Sequence, residues 1–222
     1  MDMKENSEIC LTSMENAEES FADRRSEKRT SLSLMRAAKL VTQAGEYVCL
    51  LRDLSTGGVR LRLFHPLPDE DHVFLELADG DIHAIVKVWE QGMLAGFRFA
   101  VEVDPAEFLA RADDPESRTL RLRIKAPAMI FSGGLVHSAT LRDLAQGGAS
   151  IESDAYLALG QSLILSVDGL GECGGWVRWR RGRDYGVRFE IKHRLDQLAE
   201  QALALQPLPS RVIDGDGLRG VA

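Results

Sequence analysis

The sequence predicts a mainly β protein made of two small antiparallel β-barrels in tandem, each followed by a helix. Three observations lead there. First, the chain repeats itself at an interval of 90 residues: Leu51-Arg52-Asp53-Leu54 returns as Leu141-Arg142-Asp143-Leu144, each followed by a glycine pair, Gly57-Gly58 and Gly147-Gly148. Trp89 returns as Trp179, and Gly96-Phe97-Arg98-Phe99 returns as Gly186-Val187-Arg188-Phe189. A gapless repeat of this length is too long for a solenoid unit and reads as two copies of one domain. Second, each copy is a series of short runs with strand periodicity, separated by turn signals. Third, one helical stretch closes each copy.

The elements follow in order. Residues 1–20 carry many Glu, Asn and Ser with little apolar periodicity, and read as a mobile leader, or as a short helix that orders only on contact. The first domain is expected over 21–112. Val59-Arg60-Leu61-Arg62-Leu63 alternates strictly, which turns Val59, Leu61 and Leu63 toward a core and Arg60 and Arg62 toward water. Val73 to Leu77 and Ile82 to Trp89 are further strands, and Asp79-Gly80 between them is a hairpin signal. Gly96 to Val101 follows another turn. Asp104-Pro105 caps a short helix through Ala106-Glu107-Phe108-Leu109-Ala110, and Asp113-Asp114-Pro115 ends it as the linker. The second domain, 116–205, repeats the strands and closes with a helix from Lys192 to Leu205, on which Leu195, Leu198, Ala199, Ala202 and Leu203 share a face. Residues 206–222, with two prolines and three glycines, read as a disordered tail.

Composition narrows the function classes. The 222 residues are 45% hydrophobic and 27% charged, with only 6% aromatic. No apolar run approaches the ~20 residues of a membrane span. The acidic, polar start does not read as a signal peptide, and none is expected. Cys10, Cys49 and Cys173 are widely spaced, with no CxxC, and read as free thiols of a cytoplasmic protein. No HExxH, GxSxG or P-loop pattern is present, and His65, His72, His83, His137 and His193 are scattered. The chain is therefore expected to be no enzyme and to hold neither metal nor cofactor. A net charge of −7 argues against a nucleic-acid binder. An anionic ligand must then be met by a local concentration of positive charge, and Arg24, Arg25, Lys28 and Arg29 supply one within six residues.

Two short constellations stand out in the first copy only. Arg25 and Arg29 form an RxxxR pair, and Asp53, Ser55 and Gly58 form DxSxxG about two dozen residues later. Taken singly, the first is a solvated charge run and the second a polar turn. In this order, on a repeated barrel-like strand pattern, the chain resembles the PilZ domain family, bacterial receptors for cyclic di-GMP. The resemblance covers about residues 20–110 in full and 115–205 more weakly. It implies that Arg25, Arg29, Asp53, Ser55 and the glycines Gly57 and Gly58 bind cyclic di-GMP, with Arg24 adding a third guanidinium. The chemistry agrees. Guanidinium forks bond phosphate or the guanine O6/N7 edge in a bidentate way, and a carboxylate accepts from guanine N1 and N2. In the family an arginine just before RxxxR goes with an intercalated nucleotide dimer, so Arg24 implies two ligands. The arginine segment is expected to clamp over the ligand.

The second copy departs from the pattern. Arg25 maps to Pro115, Arg29 to Thr119 and Ser55 to Ala145, while Asp143 and Gly148 survive. Arg118, Arg121 and Arg123 lie nearby without making an RxxxR pair, and alternation puts Arg121 and Arg123 on one outward face. That face leaves open a re-registered basic site, but with both forks and the hydroxyl lost this copy is expected not to bind. Trp89, Trp176 and Trp179 read as packing residues, with Trp179-Arg180-Arg181 as an alternative basic-aromatic edge for a partner. The chain is thus expected to be a cyclic di-GMP sensor that passes its signal to an unidentified protein partner, with no output domain of its own. The competing reading is a ligand-independent adaptor or dimerisation protein, for which a homodimer is one form.

Overall fold

Strict alternation builds the walls of both barrels. In β3, Gly58–Leu63, the residues Val59, Leu61 and Leu63 are buried and Arg60 and Arg62 face water, as their spacing predicts. The computed structural model describes residues 36–67, 73–112 and 119–206. The expected leader, the Asp113-Asp114-Pro115 linker and residues 207–222 of the tail lie outside the described residues. So do Arg24, Arg25 and Arg29.

In the first copy β1 (Arg36–Val41), β2 (Glu46–Leu54), β3, β4 (Val73–Glu76), β5 (Ile82–Gln91) and β6 (Leu94–Phe99) close into an antiparallel barrel in the order β1-β2-β3-β6-β5-β4. Helix α1 (Pro105–Ala112) follows. Its start is the cap the sequence predicts: the Asp104 carboxylate accepts the Ala106 N–H at 2.8 Å. Phe108 is buried beneath the barrel against His83 and Phe99, with ring centres 4.9 and 5.9 Å away.

The second copy contains β8 (Ala126–Ser132), β9 (Leu135–Ala145), β10 (Gly148–Glu152), β11 (Ser162–Val167), β12 (Gly171–Arg181) and β13 (Asp184–Phe189), and the pairing of β9 with β10 closes it as a second six-stranded barrel. A two-residue strand, β7 (Arg121–Leu122), joins the edge of β9. Helix α2 (Leu195–Leu205) starts three residues later than its apolar pattern predicts. Before it the chain is extended, because the His193 N–H is already donated to the Gln146 carbonyl at 2.8 Å. Leu198, Ala199 and Ala202 are buried on the core as expected, with Leu195 and Leu205 packed beside them; Leu203 is only half-buried.

The two copies also bend at the same places. The β2–β3 ladder shifts register at Arg52 and the β9–β10 ladder at Arg142, 90 residues on. The β5–β6 and β12–β13 ladders shift at Val88 and Arg178. Such bulges turn the following side chain to the other face.

The barrels meet along β1, β2 and β4 of the first copy. Lys39, 3% exposed, donates to Glu46 at 2.8 Å and to the Arg121 carbonyl at 2.9 Å, and lies 3.0 Å from Glu76. Arg123 bonds Glu46 through its side chain and backbone, and Glu76 at 3.0 Å. Gln206, on leaving α2, exchanges bonds with the Glu46 backbone at 3.0 and 3.1 Å. Val48 of β2 is part of the second barrel's core. Burial works to raise the Glu46 pKa, but the Lys39 ammonium and the bonds from Arg123 outweigh it and hold the carboxyl below the usual range. Cys49 and Cys173 are buried free thiols, and burial pushes both pKa values up. Among the described residues no helix is long and apolar enough to cross a membrane.

Candidate functional site

The bulge at Arg52 is what places Asp53. Leu51 and Leu54 both point inward, so the two residues between them share the outer face. Asp53 then begins a row of outward residues across four strands: it is registered with Arg60 of β3, Arg60 with Gly96 of β6, and Gly96 with Trp89 of β5. These residues line a cavity of about 230 Å³ with Ser55, Gly58, Val59, Val88 and Phe97. Of the expected ligand residues, Asp53, Ser55 and Gly58 therefore come together at one cavity. Gly57 stands beside them in the turn, its carbonyl accepting the Phe99 N–H at 3.0 Å.

Each of these residues also has a partner within the fold. The Arg60 guanidinium, half exposed, forms an ion pair with Asp53. The Ser55 hydroxyl donates to the Gly58 carbonyl at 3.2 Å, and the backbone of the same pair closes the hairpin, Ser55 N–H to Gly58 carbonyl at 2.8 Å. A Cβ on Gly58 would sit 2.6 Å from the Phe97 carbonyl, so glycine is needed there for strand contact alone. Gly148 stands against Val187 in the same way, which explains why that glycine recurs in a copy that lacks Ser55.

Arg60 and Trp89 were not among the expected ligand residues. Arg60 had a legible signal: strand alternation already turned it outward, and a hairpin centred between Thr56 and Gly57 brings it level with Asp53. Trp89 had the opposite signal, since tryptophan reads as core. It is 42% exposed, its indole lying over Gly96, and Trp179 lies over Gly186 and is 40% exposed. In both copies the missing glycine side chain is the space that the indole fills. Among the described residues no group of three His, Cys, Asp or Glu side chains converges to hold a metal ion.

Two tandem six-stranded barrels, each with a bulged hairpin that presents an aspartate on the outer wall, define the class of protein. The family model of the PilZ domain matches residues 23–111 and 116–204, and the chain belongs to the PilZ domain family. Both barrels are thus accounted for by one domain type. No curated protein matches the chain in sequence. Among solved structures, the PlzA protein of Borreliella burgdorferi in complex with c-di-GMP is 12% identical, covering 77% of this chain and 88% of that one at a TM-score of 0.34. YcgR of Escherichia coli in complex with c-di-GMP is 12% identical, over 75% of this chain and 81% of that one, at 0.30. The Bacillus subtilis inhibitor of motility, MotI, is 14% identical over 78% and 94%, at 0.32.

Proposed function

We propose that this chain is a cytoplasmic receptor for cyclic di-GMP, that its first barrel binds the nucleotide, and that the liganded protein acts through contact with a protein partner. The observation that carries the reading is the convergence of Asp53, Ser55 and Gly58 on one cavity of a family member whose RxxxR pair precedes the barrel. Reach is adequate. Arg36, where the described chain begins, pairs with Leu51, two residues from Asp53. Arg29 is seven residues earlier, and seven residues span at most about 25 Å. In this reading Arg25 and Arg29 grip phosphate or guanine edges and Asp53 accepts from guanine N1 and N2. The chain carries out no chemistry on the ligand.

The pairing of Asp53 with Arg60 favours a second reading, in which the DxSxxG turn serves its own hairpin and the barrels form a ligand-independent adaptor. Thermal melting separates the two. A ligand that prefers the folded state raises the melting temperature by an amount that grows with its concentration. Cyclic di-GMP should do this for the wild type and not for Arg25→Ala/Arg29→Ala. A melting temperature that ignores the nucleotide well above micromolar concentration leaves the adaptor.

A further inference from the structure

The second barrel carries a row equivalent to that of the first: Asp143 is registered with Ser150, Ser150 with Gly186, and Gly186 with Trp179. One position differs in kind. Where the first barrel has Arg60, the second has Ser150. The short side chain leaves the middle of the row open, and a cavity of about 890 Å³ occupies this face, against about 230 Å³ on the first. Four arginines line it, Arg121, Arg142, Arg180 and Arg181, with Ser150 and Trp179 and one carboxylate, Asp184.

The arginines come from three directions and are held differently. Arg121 of β7 lies 3.2 Å from Asp143, and Arg142, the bulged residue of β9, is bonded to Glu152. Carboxylates thus fix these two. The other two come from the β12–β13 hairpin, where Arg178, Arg180, Arg181 and Arg183 stand at the positions that hold Val88, Glu90, Gln91 and Met93 in the first barrel. Arg180 lies 4.4 Å over the Tyr156 ring and donates its Nε to the Gly182 carbonyl at 3.1 Å, which orients the guanidinium without neutralising it. Among the described residues neither Arg180 nor Arg181 forms an ion pair. Trp179 offers the cleft its exposed indole.

We infer that this cleft binds a nucleotide carrying a di- or triphosphate, through the guanidinium forks of Arg180 and Arg181 supported by Arg142 and Arg121, with Trp179 as the surface for the base. The volume falls in the range of small-molecule sites, about 300–1,000 Å³. With Arg121 and Arg142 balanced by Asp143 and Glu152, the positive charge of the cleft is concentrated in the adjacent guanidiniums of Arg180 and Arg181, which suits negative charges gathered on one phosphate chain better than the two separated single charges of a cyclic dinucleotide. Arginine's planar fork matches phosphate in two hydrogen bonds at once, and an open indole face stacks a base. The concave cleft and the chain's net charge of −7 set it apart from an open basic track for a nucleic-acid strand. None of its residues belongs to the first barrel's cavity, so the two sites stand or fall separately.

The test is calorimetric titration of the full chain with ATP and with inorganic pyrophosphate, in low salt without magnesium. The wild type and Asp53→Ala/Ser55→Ala should both take up one ATP, and pyrophosphate more weakly, because it lacks a base. Arg180→Gln/Arg181→Gln, two exposed positions outside the core, should keep its melting temperature and lose affinity at least about tenfold. No uptake of either probe at millimolar concentration overturns the inference, as does uptake unchanged in Arg180→Gln/Arg181→Gln. A short single-stranded oligonucleotide bound more tightly than ATP overturns it too. Titrating the same proteins with cyclic di-GMP reads the first barrel independently.

Discussion

Asp53 and Asp143 stand at the same point of their barrels, yet a different arginine meets each. Arg60 reaches Asp53 from the next strand, whereas Asp143 is met by Arg121 from the strand that enters the second barrel. The carboxylate is therefore common to both copies and does not by itself mark a site. What is confined to the first copy is the serine at position 55 and the arginine pair Arg25 and Arg29. Removing either arginine deletes a charge-assisted fork worth about 1.5–3 kcal/mol, so Arg25→Ala and Arg29→Ala should each weaken cyclic di-GMP binding roughly 10- to 150-fold. Asp143→Ala should leave the affinity within about twofold, since it touches only the second barrel. Fluorescence polarisation with a labelled nucleotide measures all three. A large loss in Asp143→Ala would place the ligand on the second barrel instead of the first.

At the scale of elements, the bulged hairpins carry the information. The bulges at Val88 and Arg178 bring Trp89 and Trp179 level with Gly96 and Gly186 on the outer face, and a Cβ on either glycine would overlap the indole. Gly96→Ala should cost about 1–3 kcal/mol through that overlap, and Trp89→Ala in the same chain should recover part of it, as a chemical-denaturation double-mutant cycle would show. Equal costs in the presence and absence of the indole would mean that the glycine answers to something else. The strands themselves were legible, because alternation such as Val59-Arg60-Leu61-Arg62-Leu63 reports directly which face is buried. The repeat made the second barrel as readable as the first. The indole placement was not legible: a bulge leaves no mark in hydrophobic periodicity beyond one residue out of phase. Nor could spacing show that Trp89 shares a cavity with Asp53, or that Arg121 and Arg142 face Trp179. Those neighbours come from register across strands distant in sequence.

At the scale of the whole molecule, the junction between the barrels rests on buried charge. Lys39 is enclosed with Glu46 and Glu76 on one side and the Arg121 carbonyl on the other. Lys39→Met leaves those carboxylates without their ammonium and should destabilise the protein by about 3–5 kcal/mol, read from denaturant unfolding. The pH dependence has a definite sign. The folded pKa of Glu46 is lowered, so its stabilisation is fully present above the unfolded value of about 4.3 and is lost as pH falls through the folded value. Glu46→Gln should therefore be less stable than the wild type at neutral pH, with the gap narrowing only below about pH 4.3. A gap that is constant from pH 7 to pH 3 would remove the charge from this explanation. β2, the strand that carries Asp53, also packs on α2 of the second copy, and Gln206 bonds the Glu46 backbone.

The first barrel, together with the arginine run before it, is the proposed cyclic di-GMP site of this chain. Isothermal titration of the full chain with cyclic di-GMP tests it most directly, because it counts ligands as well as detecting them. Arg24 stands immediately before the RxxxR pair, and four phosphates and four guanines in one stacked dimer call for a third guanidinium, so the expected count is two nucleotides per chain. Arg24→Ala should reduce the count to one, and Arg25→Ala/Arg29→Ala should reduce it to none. No heat from the wild type, or undiminished binding by Arg25→Ala/Arg29→Ala, would mean that the first barrel and its arginine run are not the cyclic di-GMP site.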